Sequence, residues 1–494
     1  MPTLYSRREL TSLLVALAPA ASLRAQDGEG WIPLFDGKTL AGWKASEHAG
    51  SWKVVDGCLS ADGPRSHLFY NGPVGGADFK NFELKADVMT RPGANSGIYF
   101  HTRFQQNDWP AQGFEVQVNN THRGEGSYRE HKKTGSLYGV RNVYKQLVSD
   151  DQWFQMHILV RGKQVQIRVN GTLVVDYLEP DPPVTDPEGP ARVLGRGTFA
   201  LQGHDAGSKV RYRNIRVKPL PASAAAQGLE PPVVDDLYRR ILHLNASNYP
   251  IVDYHVHLKG GLAIEQGLAN SRRTGIAYGI AVNCGLGFPI SSDAGVREFI
   301  TSMKGQPVFL ALQGEGREWV KLVSKEAVAQ FDYVFTDAMT FTDDRGKRMR
   351  LWIKEEVGEI PDKQAFMETY VNRILGVINH EPIDIYVNPT FLPDVLAAEY
   401  DTLWTPERMQ KVIDAAVASG VAIEINARYR LPSASFIKLA KKAGAKFSFG
   451  TNNGEAELGR LEYALAMVDE CGLKSEDIFL PKPDGEKPVQ KRGL

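Results

Sequence analysis

The chain is poor in cysteine and has no excess of charge of either sign. Three cysteines, Cys58, Cys284 and Cys471, occur among 494 residues, too few and too scattered for a disulfide framework. Buried, unpaired thiols are expected, although a Cys284–Cys471 bridge stays open. Lys+Arg and Asp+Glu both total 58, so the formal net charge is zero. This balance argues against nucleic acid or an anionic membrane as a partner, since both require a basic excess.

The sequence also lacks a hydrophobic run of transmembrane length. An apolar run from Leu13 to Leu23 is short, and it follows the string SRRELT at residues 6–11. Two arginines before a short apolar run, followed by small residues near Ala25 that are typical of a cleavage site, indicate a twin-arginine export signal. Residues 1–25 are therefore predicted to be a signal peptide for a periplasmic or secreted protein. No membrane span is expected in the mature chain.

Residues 26–218 are predicted to form an all-β domain. Short alternating stretches such as NFELKADVMT are separated by turn-forming pairs, among them Asp56-Gly57 and Asn170-Gly171, and almost no helical periodicity interrupts them. Many short strands with regular turns are typical of an N-terminal jelly-roll sandwich.

The second half of the chain has a different rhythm. The Pro/Ala-rich string PLPASAAAQGLEPP opens a predicted linker and bridging helix over residues 219–248, with the helix expected from Val233 to Leu242. Over residues 249–494, about seven strand candidates alternate with amphipathic segments such as TPERMQKVIDAAVASG. This alternation predicts an α/β TIM-like (β/α)7 barrel. A charged insertion from Arg345 to Ile360 is expected near its mouth.

Two neighbouring strand candidates, residues 95–101 (NSGIYFH) and 113–119 (GFEVQVN), carry polar residues in alternation with apolar ones. The polar set in the second strand is Glu115, Gln117 and Asn119. A period of two places this set on one face of a sheet. If the strands pair, His101 shares a polar concave surface with Glu115. An ordinary solvated sheet face is the alternative.

Several motifs of the first domain, in their order, resemble the 3-keto-disaccharide hydrolase domain family. They are WIPLFDGKTLAGW, NSGIYFH, GFEVQVNN, TGSLYGV, the Asn170-Gly171 hairpin and the closing LQGHD and VRYRNIRVKPL. The resemblance covers about residues 31–218. It implies a fold similar to the concanavalin-like lectins and glucanases, and cleavage of glycosides whose sugar is oxidised at C3.

Such a substrate requires a base at C2, charge stabilisation at the C3 oxygen, and an acid or a metal near the leaving oxygen. The candidate catalytic residues are Glu115, His101 and His204. The candidate substrate-binding residues are Gln117, Asn119, Trp109 and Asp205. A divalent metal ion of unknown identity is expected to stabilise the charge. Two carboxylates flanking the bond, with Asp205 the weaker second one, form the competing arrangement. Surface, packing and turn-capping roles compete with each assignment.

The first barrel strand ends in the string DYHVH, residues 253–257. Alternation points His255 and His257 to one side at the barrel mouth, where such a pair is typical of metal ligands. With Glu315, at the end of the third strand, they form the predicted metal set.

The barrel resembles the polymerase-and-histidinol-phosphatase (PHP) family of metal-dependent phosphoesterases. The H-x-H strand, Glu315, the string NPT at 388–390 and the string GTNN at 450–453 follow the family's order. Asn388, Asn452 and Asn453 stand where that family has His or Asp, and asparagine is a poor ligand for a transition metal. We therefore expect at most one metal ion in the barrel, or a degenerate barrel that binds a polar ligand or acts as a scaffold.

Three functions compete at this point. The favoured one is an exported hydrolase or lyase that cleaves glycosidic bonds of 3-keto sugars through the sandwich domain, with a carbohydrate as its substrate. The second is a carbohydrate-binding sandwich attached to a metal-dependent, phosphoesterase-like barrel, and the third is a non-catalytic scaffold. The sugar, the linkage and the oligomeric state stay open.

Overall fold

The computed structural model describes residues 29–126, 128–187, 189–190, 192–343, 346–454 and 456–494. The predicted signal peptide lies outside these residues, as does Arg345, the first residue of the predicted insertion. Within the described residues, no helix has both the length and the apolar character needed to cross a membrane.

Antiparallel strands follow one another through the first part of the chain. In chain order they are β1 (Ile32–Pro33), β2 (Trp43–Ala45), β3 (Trp52–Val55), β4 (Cys58–Ala61), β5 (Ser66–Tyr70), β6 (Phe82–Thr90), β7 (Asn95–Thr102), β8 (Phe114–Asn119), β9 (Phe154–Arg161), β10 (Gln164–Val169), β11 (Thr172–Leu178), β12 (Thr198–Gly203) and β13 (Val210–Pro219).

These strands form two sheets. One has the order β11-β10-β9-β6-β13-β4-β3, with β1 paired to β13, and the other has the order β2-β5-β12-β7-β8. In β6 and β9 buried residues alternate with half-buried ones, which gives the first sheet one apolar face. In β7, β8 and β12 every residue is buried, so the second sheet is covered on both faces. The predicted N-terminal β-sandwich is confirmed in these two sheets.

A helix connects the sandwich to the second domain. The helix α1 (Asp236–Ala246) begins three residues later than predicted, because the Asp235 side chain caps it by accepting a hydrogen bond from the Tyr238 backbone N–H.

Seven parallel strands of the second domain close into a barrel in the order β14-β15-β16-β17-β20-β21-β22. The barrel strands are β14 (Val252–His257), β15 (Ala277–Cys284), β16 (Phe309–Gly314), β17 (Tyr333–Thr336), β20 (Ile385–Tyr386), β21 (Ala422–Asn426) and β22 (Phe447–Gly450). Between β17 and β20, the strands β18 (Thr340–Thr342) and β19 (Arg348–Arg350) form a separate antiparallel hairpin. A closed barrel of parallel strands is therefore confirmed.

Helices surround the barrel. They are α2 (Ile264–Thr274), α3 (Asp293–Ser302), α4 (Lys325–Val328), α5 (Lys354–Val357), α6 (Lys363–His380), α7 (Asp394–Ala397), α8 (Tyr400–Leu403), α9 (Pro406–Ser419), α10 (Ala434–Lys442), α11 (Glu462–Glu470) and α12 (Pro488–Arg492). The ends predicted for α9 are confirmed: the Thr405 hydroxyl accepts from the Arg408 N–H, and Gly420 ends the helix with a φ of 63°.

The three cysteines, Cys58, Cys284 and Cys471, are buried and unpaired in the described structure. The bridge left open between Cys284 and Cys471 is therefore not formed.

The two domains contact each other through a loop of the sandwich. The Arg141 guanidinium donates to the backbone carbonyls of Arg272, at 3.0 Å, and Arg273, at 2.9 Å. The Lys145 Nζ pairs with the Asp332 carboxylate at 2.9 Å. The barrel therefore supports the sandwich on the side that carries residues 141–145.

Candidate functional site

A cavity of about 520 Å³ opens over β7, β8 and β12 of the five-stranded sheet. We call it the sandwich cavity. The lining residues that matter most for its chemistry are Tyr99, Trp109, Glu115, Glu130, Arg192 and His204. Convergent polar groups beside aromatic surface are typical of a small-molecule site.

Glu115 lies at the floor of this cavity. It pairs across the sheet with Tyr99, whose hydroxyl donates to Glu115 Oε2 at 2.8 Å. Gln202 Nε2 donates to Oε1 at 3.0 Å. At Gly97 a Cβ would lie 2.2 Å from Glu115 Oε1, so the glycine in NSGIYFH leaves the room that the carboxylate occupies. The Glu115 side chain is thus held in one position by its neighbours.

The environment of Glu115 raises the pKa of its carboxyl group to near neutral pH. Burial raises the pKa of Glu115 to about 7, and the negative charge of Glu130 adds to the rise. The Arg192 charge and the hydrogen bonds from Tyr99 and Gln202 act in the opposite direction but do not outweigh burial. A carboxyl group with this pKa can both take and give a proton at neutral pH.

A second buried carboxylate, Glu130, lines the same cavity. The hydroxyls of Tyr128 and Tyr138 donate to its Oε2, the latter at 3.1 Å, and the Lys132 backbone N–H donates to its Oε1 at 2.8 Å. The sequence named Asp205 as the weaker second carboxylate, and this assignment is wrong for the cavity. Glu130 escaped prediction because it lies in a loop without periodicity.

The loop that carries Glu130 is contacted by Asn248, a residue outside the sandwich domain. Lys132 is completely buried, and its Nζ lies 4.2 Å from the Tyr138 ring centroid. It donates to Asn248 Oδ1 at 2.7 Å, and Asn248 Nδ2 donates to the Arg129 carbonyl. Burial lowers the pKa of Lys132 to about 8. Asn248 follows α1, so the connection to the barrel supports one wall of the cavity.

Three other predicted residues line the cavity: Trp109, Gln117 and His204. The rings of Trp109 and His204 pack at a centroid distance of 5.0 Å, and Gln117 Nε2 donates to Asn95 Oδ1 at 2.9 Å. Asp205 holds His204 through a bond of 2.6 Å to Nδ1. Burial acts to raise the pKa of Asp205, but hydrogen bonds from His204 and neighbouring groups outweigh it and lower the pKa.

Two predicted site residues point elsewhere: neither His101 nor Asn119 occurs among the described residues that line the cavity. His101 has a φ of 54°, which breaks the alternation of its strand. Its Nε2 lies 2.9 Å from the Lys80 carbonyl, and its Nδ1 accepts from the Gly195 N–H at 3.2 Å. The predicted surface shared with Glu115 is therefore wrong for His101. Asn119 instead donates to the carbonyl of Lys132 at 2.9 Å.

Sequence reasoning missed further residues of the sandwich cavity. They are Tyr99, Glu130, Tyr138, Arg192 and Gln202. Two of them were within reach, because Tyr99 shares a strand face with Gly97 beside Glu115, and Gln202 lies in the closing motif LQGHD. The others come from loops, where the sequence gives no period to follow.

A second cavity, of about 240 Å³, lies at the barrel mouth and is lined by His257, Glu315 and Asp337 among others. We call it the barrel-mouth cavity. Glu315 accepts hydrogen bonds from three neighbours, which are Asn283 at 2.8 Å, Gln313 at 3.1 Å and Thr340 at 3.0 Å. Its carboxylate is thus already surrounded by neutral donors.

The predicted metal set His255, His257 and Glu315 is not formed. Across the described ranges, no three His, Cys, Asp or Glu side chains stand where they could hold a metal ion. His255 Nδ1 is bonded to Glu424 Oε1 at 2.6 Å, and the donors around Glu315 occupy its oxygens. These barrel residues, as arranged, do not fit a metal ion, whereas the divalent ion expected in the sandwich stays a prediction.

Residues 30–218 match the model of the family described as the 3-keto-alpha-glucoside-1,2-lyase-like domain. A 3-keto-disaccharide hydrolase of Bacteroides thetaiotaomicron is 31% identical over 111 residues, which are 19% of this chain and 38% of that protein. The alignment thus spans less than half of that relative's length.

Two solved structures are also similar to part of the chain. A candidate glycosyl hydrolase of Parabacteroides distasonis is 22% identical, covers 39% of this chain and 95% of its own, and has a TM-score of 0.32. The carbohydrate-binding module CBM66 of Bacillus subtilis is 13% identical, covers 36% and 95%, and has a TM-score of 0.25.

Proposed function

We propose that the protein cleaves the glycosidic bond of glycosides whose sugar carries a ketone at C3, and that it does so in the sandwich cavity. The observation that carries this proposal is the buried carboxyl of Glu115, which has a pKa of about 7. The cavity around it is also lined by the Arg192 guanidinium and the Trp109 ring. The family match of residues 30–218 and the name of the Bacteroides relative support the same chemistry.

The reaction follows from the ketone. Loss of the C2 proton gives an enolate whose charge rests on the C3 oxygen. The enolate electrons then form the C1–C2 double bond and break the bond from C1 to the leaving oxygen, which takes up a proton. Addition of water across that double bond completes a net hydrolysis, whereas release before this step makes the enzyme a lyase.

Glu115 is the base in this scheme. Its ionised form takes the C2 proton, and the hydrogen bonds from Tyr99 and Gln202 hold the carboxylate in place during the transfer. A pKa near the working pH gives both a sufficient ionised fraction and a sufficient basicity. Arg192, which lines the same cavity, supplies a positive charge for the developing oxyanion at C3.

His204 is the residue placed to protonate the leaving oxygen. Its Nδ1 is bonded to Asp205, which fixes the orientation of the ring and leaves Nε2 as the nitrogen that gives the proton. Trp109, which packs against the His204 ring, offers a flat face for the sugar. The acid and the stacking surface thus lie side by side.

A second candidate function is ordinary glycoside hydrolysis with two carboxylates. It is favoured by one observation, the presence of Glu115 and Glu130 in one cavity, since paired carboxylates perform that reaction without oxidised sugar. The deciding experiment gives the full-length protein matched pairs of 3-keto and unoxidised glycosides. Cleavage of the 3-keto member alone supports our proposal, and cleavage of both at similar rates refutes it.

We expect kcat/KM for a 3-keto glycoside to rise with pH through about 7. With removal of the C2 proton as the rate-limiting step, the base must be ionised, so kcat/KM should fall about tenfold per pH unit below the pKa of Glu115 and level off above it. The measurement is a pH profile of kcat/KM from pH 5 to 9 at constant ionic strength. A flat profile between pH 5 and 8 would mean that another group takes the proton.

Removing the support of Lys132 should lower activity. Asn248 has a φ of 57°, so Asn248→Gly keeps the backbone unstrained while it removes the acceptor for Lys132. We expect about a tenfold loss of kcat/KM, equivalent to about 1.4 kcal/mol, because the wall that carries Glu130 and Tyr138 loosens.

Two matched variants test this role of Asn248. Asn248→Asp retains an oxygen acceptor and should keep most of the activity. Asn270→Gly removes an amide whose hydrogen bonds, among the described residues, go to Tyr278 and Arg273 of the barrel, and it should leave kcat/KM unchanged. Equal losses in Asn248→Gly and Asn270→Gly would show that general destabilisation, and not the contact with Lys132, explains the effect.

A further inference from the structure

Every strand of the barrel contributes to the barrel-mouth cavity. One residue at or just after the carboxyl end of each strand lines it: His257, Asn283, Glu315, Asp337, Asn388, Arg428 and Asn452. The carboxyl ends of barrel strands are where such folds bind their ligands. Two of these residues, Asn388 and Asn452, have positive φ values of 51° and 41°. Sparsely populated backbone conformations cluster at functional sites.

Four of the hydrogen-bonding side chains that line this cavity are amides, which are those of Asn283, Gln313, Asn388 and Asn452. Gln313 is only 5% exposed, and its Nε2 donates to Glu315. Its carbonyl oxygen is buried and makes no hydrogen bond of normal geometry within the described part of the chain, although the His257 ring interacts with the Gln313 side chain. A buried polar atom without a partner is costly, and a ligand hydroxyl donating to Gln313 Oε1 would remove that cost. Asn283 and Asn388 add further planar amide groups to the same wall.

Aromatic residues complete the cavity. Trp352 lies just after the hairpin strand β19, lines the cavity and is 41% exposed. Phe288 and Tyr429 line it as well. A large exposed aromatic at the rim of a polar pocket provides a flat apolar surface, which suits the C–H face of a sugar ring.

The charges of the cavity favour a neutral ligand. Burial raises the pKa of Glu315 to about 8 and raises the pKa of Asp337 as well, so both carboxyl groups favour their neutral forms. The charged Lys259 and Arg428 also line the cavity, but Lys259 is half-buried and Arg428 is exposed. The volume of about 240 Å³ lies below the roughly 300–1,000 Å³ of pockets for drug-sized molecules. A molecule with the size of one hexose fits these limits.

We propose that the barrel mouth is a second ligand site, which binds a neutral, polyhydroxylated ring of monosaccharide size. The amides and carboxylates hydrogen-bond its hydroxyls, Gln313 Oε1 accepts one of them, and Trp352 covers its apolar face. The site is independent of the reaction in the sandwich cavity, and it gives the barrel a binding role without a metal centre.

The test is calorimetric titration of the full-length protein with methyl α-D-glucopyranoside, and separately with inorganic phosphate and with MnCl2. The variants are Trp352→Ala, Gln313→Met, Glu115→Gln and, as a surface tryptophan control in the sandwich, Trp31→Ala. We expect saturable sugar binding that is weakened at least tenfold by Trp352→Ala and by Gln313→Met. Glu115→Gln and Trp31→Ala should leave this binding unchanged.

Other outcomes overturn the proposal. If sugar binding is lost in Glu115→Gln and kept in Trp352→Ala, the sugar binds only in the sandwich cavity. Absence of sugar binding in the wild-type protein refutes the site. Tight binding of phosphate or of Mn²⁺ that Trp352→Ala leaves intact, with no sugar binding, would assign the barrel mouth to an ionic ligand instead.

Discussion

Replacing Glu115 with glutamine is expected to lower kcat/KM for a 3-keto glycoside by about a thousandfold or more, the scale for loss of an essential base. The substitution keeps the volume of the side chain and an oxygen that can accept from the Tyr99 hydroxyl, but it removes the basic lone pair. The second readout is isotope exchange. In D2O the wild-type enzyme should introduce deuterium at C2 of the 3-keto sugar, and Glu115→Gln should not.

The matched control is Glu83→Gln. Glu83 lies on the other sheet and pairs with His157 at 2.9 Å, so its loss should leave the rate within a fewfold of wild type. If Glu115→Gln retains activity within a fewfold, the base is another group, and Glu130 and His204 are the next to replace. Loss of cleavage with normal exchange at C2 would instead assign Glu115 to the departure of the leaving group.

The two-domain layout could be predicted from periodicity alone. The alternation in NFELKADVMT became β6, and the strand–helix rhythm after residue 249 became a closed parallel barrel. Both predictions rest on local patterns that repeat over many residues. Ligand spacing says nothing about donors from other strands, so the predicted metal set did not anticipate that Asn283 and Thr340 reach Glu315 from elsewhere in the chain.

The candidate site was predictable where it lies on strands and at two loop residues, Trp109 and His204, of the first domain. Glu115 followed from alternation, since a strand fixes the side of the sheet that each residue faces. His101 was misplaced because one residue with positive φ reverses that rule. Glu130 and Arg192 lie in loops, and their positions depend on contacts such as that between Lys132 and Asn248, which are distant in sequence. Tertiary contacts of this kind leave no local pattern.

The substitution Glu115→Gln should also stabilise the protein at alkaline pH. The folded-state pKa of Glu115, about 7, lies above the ordinary value of 4.5. The protonated group therefore supports the fold fully below pH 4.5, and this support is lost as pH rises through 7. The loss amounts to about 3 kcal/mol at 1.36 kcal/mol per pKa unit. Glutamine stays neutral at every pH, so the stability gap should grow from near zero at pH 4.5 to about 3 kcal/mol above pH 7.

The hydrogen bonds around position 115 allow this gain. Gln202 Oε1 has no partner among the described residues, so a rotation of the Gln202 amide lets it accept from the new amide group.

Because two domains need not unfold together, the measurement is amide hydrogen exchange in β7 and β8 across pH, which reports the sandwich alone. Glu83→Gln, which removes a carboxylate from the other sheet, is the matched control. If the free energies of unfolding of wild type and Glu115→Gln differ by the same amount at pH 5 and pH 8, Glu115 is ionised in the folded protein at both pH values. The assignment of Glu115 as a base with a pKa of about 7 would then be wrong.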